Sequence, residues 1–161
     1  MRLQTDEAFR RYGSRVFSAA FSVCRDPTDA DDVTQDTFLR YHTRADEFES
    51  EEHLKAWLLR VAINRARDLT TSFWRRNTAA LEDYMESLEF EAPGDSALMR
   101  AVLDLPEKYR AVIHLFYFEA YSVDEIADLL RRRPGTVKSQ LSRARALLKT
   151  ALKEDWNDDE P

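Results

Sequence analysis

The sequence predicts an all-α protein of two small helical domains joined by an acidic flexible linker, the C-terminal domain being a helix-turn-helix. Only 3 Gly and 5 Pro occur in 161 residues, so few positions interrupt a helix. Apolar residues recur every three or four positions along most of the chain, which is the period of a helix that buries one face. Between residues 79 and 98 the chain carries six acidic residues and no basic one, and this run separates the two amphipathic parts.

Two helices are predicted at the start of the chain. The first, at about 5–24, has apolar residues at helical spacing, namely Phe9, Tyr12, Val16, Ala20 and Val23. Pro27 is expected to end it, and Thr28 or Asp29 can cap a second helix at about 28–44. The second helix should bury Ala30, Val33, Thr37, Phe38 and Tyr41.

The second predicted helix is acidic at its start, where carboxylates interact favourably with the helix dipole. Capping alone could explain this acidity, but Asp36 lies too deep in the helix to act as a cap. Asp32 and Asp36 are one turn apart and point the same way. The other interpretation is therefore a docking face for a partner protein, formed by Asp32, Gln35, Asp36 and Leu39.

A charged loop whose single large apolar residue is Phe48 leads into a third predicted helix, at about 52–74. Its core residues are expected to be Leu54, Trp57, Leu58, Val61 and Leu69. A polar stripe lies on another side of it, at Arg60, Asn64, Arg67 and Thr71. From residue 55 to residue 76 there are six basic residues and one acidic one, with Phe73 and Trp74 among them. Aromatic rings between arginines suit unpaired bases, although a purely structural role for Trp74 stays open.

The predicted domain boundaries follow from these changes of composition. Residues 1–76 form the first domain, 77–96 the acidic linker, 97–153 the second domain, and 154–161 an acidic tail that is expected to fray. Two helices broken at Pro106 should open the second domain. They are expected to support the helix-turn-helix through Val102, Leu105, Val112, Ile113, Phe116 and Tyr117.

The helix-turn-helix is predicted between Ser122 and Lys149. Ser122 and Glu125 have the spacing of a capping box at the start of a short helix. Pro134 and Gly135 then interrupt the apolar pattern, and Pro is tolerated at the first position of a new helix. This second helix should bury Val137, Leu141, Ala144 and Leu148.

The opposite side of that helix has the chemistry of a DNA-binding surface. From residue 131 to residue 153 there are eight basic residues and no acidic one, in a protein whose net charge is −6. Arg and Gln can form paired hydrogen bonds with base edges in the major groove, and Ser and Thr suit phosphate oxygens. The alternative is a solvated basic face on an ordinary helix, and so one-sided a charge distribution in an acidic protein argues against it.

Other classes of protein find no support in the sequence. Cys24 is the single cysteine, which excludes an internal disulfide and a cysteine-based zinc site. No apolar run reaches the ~20 residues of a membrane span and no signal peptide is evident, so a cytoplasmic protein is expected. The three histidines share no ligand spacing, and no Gly-rich loop or nucleophile pattern occurs. We therefore expect no enzymatic activity, no cofactor and no metal.

Four segments resemble the sigma factors of bacterial RNA polymerase: DADDVTQDTFLR (29–40), WLLRVAIN (57–64), LPEKYRAV (105–112) and YSVDEIA…GTVKSQLSRARALL (121–148). They occur in the family's order, and the lack of extra domains is similar to the compact extracytoplasmic-function (ECF) group. The resemblance implies a protein that binds core RNA polymerase and directs promoter recognition, at the −35 and −10 elements, and transcription initiation. It also implies an anti-sigma factor as a partner and no membrane contact of the chain's own.

The resemblance further implies a role for individual residues. Docking on polymerase would fall to Asp32, Gln35, Asp36 and Leu39. Binding of the −10 element would fall to Phe48, Arg60, Asn64, Arg67, Trp74 and Arg75. Binding of the −35 element would fall to Arg131, Arg132, Arg133, Thr136, Lys138, Ser139, Gln140, Ser142 and Arg143.

The turn of the helix-turn-helix departs from the family pattern. This turn commonly carries Gly, which adopts a left-handed conformation freely, whereas Arg131 or Arg132 stands there in this chain. Either the turn is built differently, or an Arg adopts that conformation at a cost of roughly 1 kcal/mol.

Two rival functions stay open at the level of sequence. One is a sigma mimic that titrates an anti-sigma factor without binding DNA, and the basic second helix argues against it. The other is an independent helix-turn-helix transcription factor, which would normally dimerise on a palindrome. The sequence offers no spare apolar face for such a dimer.

Overall fold

The structure is a computed structural model that describes residues 1–44, 47–73, 86 and 93–158. Its regular elements are all helical: α1 (Thr5–Cys24), α2 (Pro27–Thr43), α3 (Glu51–Phe73), α4 (Pro93–Leu103), α5 (Glu107–Ile113), a π-helical turn (His114–Phe118), α6 (Val123–Leu130) and α7 (Pro134–Asp158). The all-α prediction is thus confirmed for these residues. The chain divides into two compact units, residues 1–81 and 82–161.

The first unit is a three-helix assembly in which α1 packs against α2 and α3, and α2 packs against α3. Its largest fully buried side chains are Val16, Val23, Val33, Tyr41, Leu54, Leu58, Leu59 and Ile63. Burying each such aliphatic side chain contributes about 1.5–3 kcal/mol, so this seam holds the unit together. Tyr41 also donates from its hydroxyl to the Leu3 carbonyl at 2.6 Å, which satisfies its polar end.

Several apolar residues of the first unit are less buried than the helical pattern predicts. Phe9 is 49% exposed, although its ring meets the edge of Phe38 at 5.1 Å. Trp57, Val61 and Leu69 are half-buried. These residues lie at the margin of the three-helix seam, where helical periodicity places a side chain on a face without fixing how deeply it packs.

The junction between α1 and α2 differs from the sequence prediction. Pro27 does not end α1, which stops at Cys24 with Arg25 in the left-handed conformation (φ 60°). Pro27 is the first residue of α2, and the cap is Asp26, whose side chain accepts a hydrogen bond from the Asp29 N–H at 2.9 Å. The capping role predicted for Thr28 or Asp29 is wrong, because Pro in the first turn moves the capping position to the residue before it.

The second unit is built around α7, which packs against α4, α5 and α6. The predicted apolar back of α7 is confirmed, since Val137, Leu141, Ala144 and Leu148 are all buried. The unit begins earlier than expected, because α4 starts at Pro93 within the predicted linker. The linker residues before it, apart from 86, lie outside the described residues. The backbone of α7 continues to Asp158, while residues 159–161 lie outside the described residues, and the fraying of the tail stays a prediction.

The π-helical turn explains where the predicted platform fails. Val102, Leu105, Val112 and Ile113 are buried as expected, but Phe116 is half-buried and Tyr117 is 53% exposed. A π-helical turn holds more residues than an α-helical turn, so side chains beyond it leave the register that a 3.6-residue period predicts. The prediction that Phe116 and Tyr117 support the core is therefore wrong.

His114 is the one buried imidazole among the described histidines. It is 6% exposed and stacks on Phe118 with ring centroids 5.2 Å apart. Its Nε2 has no hydrogen-bond partner among the described residues. Because burial disfavours the charged ring, the pKa of His114 is lowered to about 4.

This burial predicts that the second unit loses stability as pH falls. The folded-state pKa of about 4 lies below the unfolded value of 6.5, so the unfolded chain binds the proton more tightly between those values. The stability of the unit should be constant above pH 6.5 and decline toward pH 4, by up to ~3 kcal/mol. Hydrogen exchange of the α5 amides across this range measures the effect. His114→Leu should flatten the profile, whereas His42→Gln, at an exposed histidine of the first unit, should leave it unchanged. An unchanged slope in His114→Leu would contradict this assignment.

Candidate nucleic-acid interface

The start of the helix-turn-helix is fixed by a reciprocal cap. The Ser122 hydroxyl accepts from the Glu125 N–H at 3.1 Å, and the Glu125 carboxylate accepts from the Ser122 N–H at 3.0 Å. The capping box predicted from the sequence is confirmed. Behind it, α6 buries Ile126, Ala127, Leu129 and Leu130. This face sets the position of the turn that follows.

The turn between α6 and α7 uses an arginine in the left-handed conformation. Arg131 has φ 56° and ψ 48°, which selects the second of the two alternatives that the sequence left open. The next N–H, that of Arg132, donates to the Ala127 carbonyl at 2.9 Å. This is the long-range bond of a Schellman motif, and it satisfies a helix-terminal carbonyl that would otherwise lack a partner. The left-handed residue costs about 1 kcal/mol, which the cap bond helps to offset.

The outward side of α7 and the turn before it carry most of the residues predicted to meet the −35 element. Arg131, Arg133, Thr136, Lys138, Ser139, Ser142 and Arg143 are exposed, and Gln140 is half-buried. A cleft of about 560 Å³ opens on this side, lined by Lys108, Tyr109, Arg133, Gly135, Thr136, Ser139, Gln140 and Arg143. Its three cations and several hydrogen-bonding side chains make it chemically suited to an anionic, acceptor-rich ligand. Lys108, at the start of α5, was not among the residues that sequence reasoning selected.

Arg132 differs from its two neighbours because its side chain is turned into the protein. Its Nη1 donates to Gln140 Oε1 at 2.8 Å and to the Lys108 carbonyl at 3.1 Å. The residue is half-buried, whereas Arg131 and Arg133 are exposed. The three arginines of the turn are therefore not equivalent.

Arg145 lies on a different side of α7. Its Nε donates to the Tyr117 hydroxyl at 2.7 Å, and its guanidinium lies 5.0 Å from the centre of the Phe116 ring. It borders an apolar groove of about 940 Å³ whose lining includes Leu98, Val102, Ile113, Tyr117, Phe118, Leu148, Lys149, Leu152 and Lys153. The second unit thus presents two chemically distinct surfaces, one polar and basic, the other apolar with cations along it.

In the first unit, α3 carries the predicted stripe for the −10 element. Asn64 is exposed, while Arg60 and Arg67 are half-buried and each has an interaction partner. Trp74 and Arg75 lie outside the described residues.

Phe48 is a core residue, so its predicted direct contact with the −10 element would require the side chain to leave the core. The side chain is 2% exposed and meets Trp57 edge-on with ring centroids 5.7 Å apart. Arg44 lies over both rings, 5.4 Å from Phe48 and 5.1 Å from Trp57. A lone apolar residue in a charged loop is the one most able to fold back onto the core, and here it anchors the loop.

The predicted docking face on α2 is exposed in part. Asp32 and Gln35 are exposed, and Leu39 is 61% exposed although it is apolar. Asp36 is half-buried. Its carboxylate forms ion pairs with Arg40 at 3.1 Å and with Arg65 of α3 at 3.9 Å. The spacing of Asp36 and Arg40 could have indicated the first pair, but the second requires the packing of α3 on α2.

Two helical units, the second a helix-turn-helix with a basic outer face, define the class of two-domain DNA-binding proteins. Consistent with this class, the Sigma-70 region 2 model matches residues 8–79 and the Sigma-70 region 4 model matches residues 95–148. The chain belongs to the ECF RNA polymerase sigma factors.

Individual relatives and structures support this membership. The chain is 33% identical over 149 residues to the ECF RNA polymerase sigma factor SigM of Mycobacterium tuberculosis, covering 91% of this chain and 76% of SigM. It is 27% identical over 164 residues to SigW of Bacillus subtilis, covering 89% of this chain and 86% of SigW. These relatives are named as sigma factors and not as enzymes.

Two solved structures share the fold. CnrH in complex with the cytosolic domain of CnrY has a TM-score of 0.68 and 30% identity, covering 94% of this chain and 88% of CnrH. The sigma factor RpoE, in complex with the anti-sigma factor NepR from Bartonella quintana, has a TM-score of 0.71 and 22% identity, covering 92% of this chain and 96% of RpoE. None of the helices in the described ranges is long and apolar enough to cross a membrane.

The left-handed turn generates a prediction about stability. Arg131→Gly should stabilise the second unit by up to ~1 kcal/mol, because Gly adopts φ 56° without a Cβ clash. Arg131→Ala is the matched control, since it removes the same charge and keeps the clash. Urea unfolding followed by exchange of the α6 and α7 amides measures the difference. Equal stability of the Gly and Ala variants would contradict this account of the turn.

Proposed function

We propose that this sigma factor binds core RNA polymerase and directs it to promoters by reading a −35 element with α7 and a −10 element with α3. The observation that carries the proposal is the charge of the second unit. Residues 131–153 include eight basic residues and no acidic one, in a chain of net charge −6. The local field of such a patch, and not the net charge, governs the approach of DNA.

The −35 element would be bound by the turn and the first half of α7. Recognition helices of this motif contact base edges with their N-terminal residues, which favours Thr136, Lys138, Ser139, Gln140, Ser142 and Arg143 for the major groove. Arg131 and Arg133 precede the helix and are exposed, which suits contacts with phosphates. Arg132 belongs to the same cluster, but its guanidinium donates to Gln140.

The −10 element would be bound by the polar stripe of α3. Asn64 offers both a donor and an acceptor to an unpaired base, while Arg60 and Arg67 flank it with positive charge. Trp74 and Arg75, which follow α3 in the sequence, are proposed as the stacking ring and the phosphate contact. Phe48 supports the loop from beneath and is not included.

Polymerase would dock on the exposed side of α2. Asp32 and Gln35 supply acceptors and an amide, and Leu39 supplies the apolar contact that an interface core requires. Asp36 completes the set, although its charge is shared with Arg40 and Arg65. Once one unit is bound to polymerase or promoter, tethering raises the effective concentration of the other, so weak individual contacts suffice.

An anti-sigma factor is the further partner that we propose. RpoE and CnrH were solved in complexes with NepR and with the cytosolic domain of CnrY. In this chain the apolar groove of the second unit has Arg145, Lys149 and Lys153 along it. An amphipathic helix with acidic flanks is the partner segment that such a surface fits.

Transcription from a randomised promoter library, with purified core polymerase and with or without this chain, tests the proposal directly. Sequenced transcript starts that share a −35 and −10 pair only when the chain is present are the expected result. A chain that neither binds core polymerase nor yields starts would overturn the proposal and favour the mimic that titrates an anti-sigma factor.

A pair of single substitutions should separate the two surfaces of the first unit. Asn64→Ala should slow promoter opening about tenfold by removing a base contact, with polymerase affinity unchanged. Leu39→Ala should weaken binding to core polymerase about tenfold, because a largely exposed Leu is lost from the interface. Binding to labelled core polymerase and permanganate footprinting of the open promoter measure the two effects. Arg10→Ala, at an exposed residue of α1, should alter neither, and exchanged phenotypes of Asn64 and Leu39 would contradict these assignments.

A further inference from the structure

The side chain of Arg132 links the turn to two other elements of the second unit. Its Nη1 lies 2.8 Å from Gln140 Oε1, on the second turn of α7, and 3.1 Å from the Lys108 carbonyl at the start of α5. Both distances are those of hydrogen bonds to a charged donor. The Gln140 amide is therefore held from one side by a fixed cation.

The backbone of the turn brings Arg132 to this position. Arg131 takes the left-handed conformation, and the Arg132 N–H closes onto the Ala127 carbonyl at 2.9 Å. The backbone N–H of Arg132 is thus held by one hydrogen bond, and its guanidinium is held by another, to the Lys108 carbonyl. A side chain held at both ends loses little further freedom when DNA binds.

The contact fixes which way the Gln140 amide faces. The oxygen and nitrogen of a glutamine amide are normally distinguished only through their partners. A guanidinium has five donors and no acceptor, so the atom that faces Arg132 must be the oxygen. The Nε2 group, with its two N–H donors, then takes the other position of the planar amide.

Gln140 lies on the side of α7 that we propose to meet DNA. It lines the same cleft as Thr136, Ser139 and Arg143, and it is half-buried. A ligand in the cleft would meet amide N–H donors, while the amide oxygen is already engaged by Arg132.

We propose that Arg132 is a positioning residue that makes Gln140 a hydrogen-bond donor to DNA, so that Gln140 selects an acceptor. This inference rests on the proposed function of α7 as a DNA-reading helix. The acceptors available are O6 and N7 of guanine, N7 of adenine, O4 of thymine, and backbone phosphate oxygens. Paired recognition of adenine by Gln uses the amide oxygen to accept from N6, and a cation beside that oxygen disfavours a second donor. Adenine offers the Gln140 donors only its N7, beside an N6 donor that the engaged amide oxygen no longer accepts, so Gln140 should prefer guanine to adenine while Arg132 is in place.

Promoter selection with the holoenzyme and a library randomised in the −35 region tests this inference. Wild type should prefer guanine or thymine at one position, and Gln140→Ala should abolish that preference alone. Arg132→Met, which keeps the length of the side chain without a donor, should raise the share of adenine there by roughly tenfold. Gln140→Glu leaves a carboxylate for Arg132 to hold and removes the N–H donors, so it should shift the preference toward cytosine or adenine.

The same variants distinguish a base from a phosphate as the acceptor. For a phosphate, Gln140→Ala and Arg132→Met should weaken binding by a similar factor across all sequences, with no change of preference. Arg132→Lys should retain more of the wild-type behaviour than Arg132→Met in either case, because it keeps a cation beside the oxygen. Arg10→Met, which removes an exposed cation of the first unit, should change nothing.

Two outcomes would overturn the inference. One is a Gln140→Ala variant with wild-type preference and affinity; the other is an Arg132→Met variant that matches wild type while Gln140→Ala does not. Both leave the proposed function intact, since wild type still selects a −35 sequence. A wild-type holoenzyme that selects no sequence at all would overturn the proposed function and this inference with it.

Discussion

The apolar back of α7 is the contact on which the second unit depends. This helix packs against α4, α5 and α6, so it completes the core that the other three helices form. Its buried residues are Val137, Leu141, Ala144 and Leu148. Since these residues must point inward, the residues between them must point outward, and these are the basic and amide side chains. The helical period of α7 thus decides both which residues pack in the core and which residues face solvent. Neither set can be shifted without shifting the other.

Segregation of charge reconciles an acidic chain with a DNA-binding role. Eight basic residues and no acidic one lie between residues 131 and 153, on α7 and the turn before it, while the exposed carboxylates of α2 lie in the other unit. Each surface can therefore attract a different partner, the first a polyanion and the second a cationic protein surface. Arg40 and Arg65 partly neutralise the charge of Asp36, so the face on α2 is less acidic than its sequence suggests.

Local signals made much of this structure predictable. The capping box at Ser122, Pro134 at the start of α7 and the buried face of α7 all depend on residues within a few positions of one another. The features that sequence reasoning did not anticipate depend on tertiary packing or on unusual backbone. Phe48 folds back under Trp57, Tyr117 leaves the core after a π-helical turn, and Arg132 reaches Gln140 across the turn. No spacing rule relates those partners, because each contact is decided by where whole helices lie.

The π-helical turn at His114–Phe118 makes the wall of the apolar groove sensitive to the number of residues in this segment. A chain one residue shorter here could form a regular α-helix, because a π-helical turn accommodates one extra residue, and the side chains within the turn would then take new positions. The rings of Tyr117 and Phe118 would leave the wall of the apolar groove, while the capping box and α7 could re-form unchanged beyond it. A one-residue insertion or deletion would then redefine what the groove accepts without any substitution in the recognition helix. In this fold, the apolar groove and the outward face of α7 can therefore change through separate kinds of mutation.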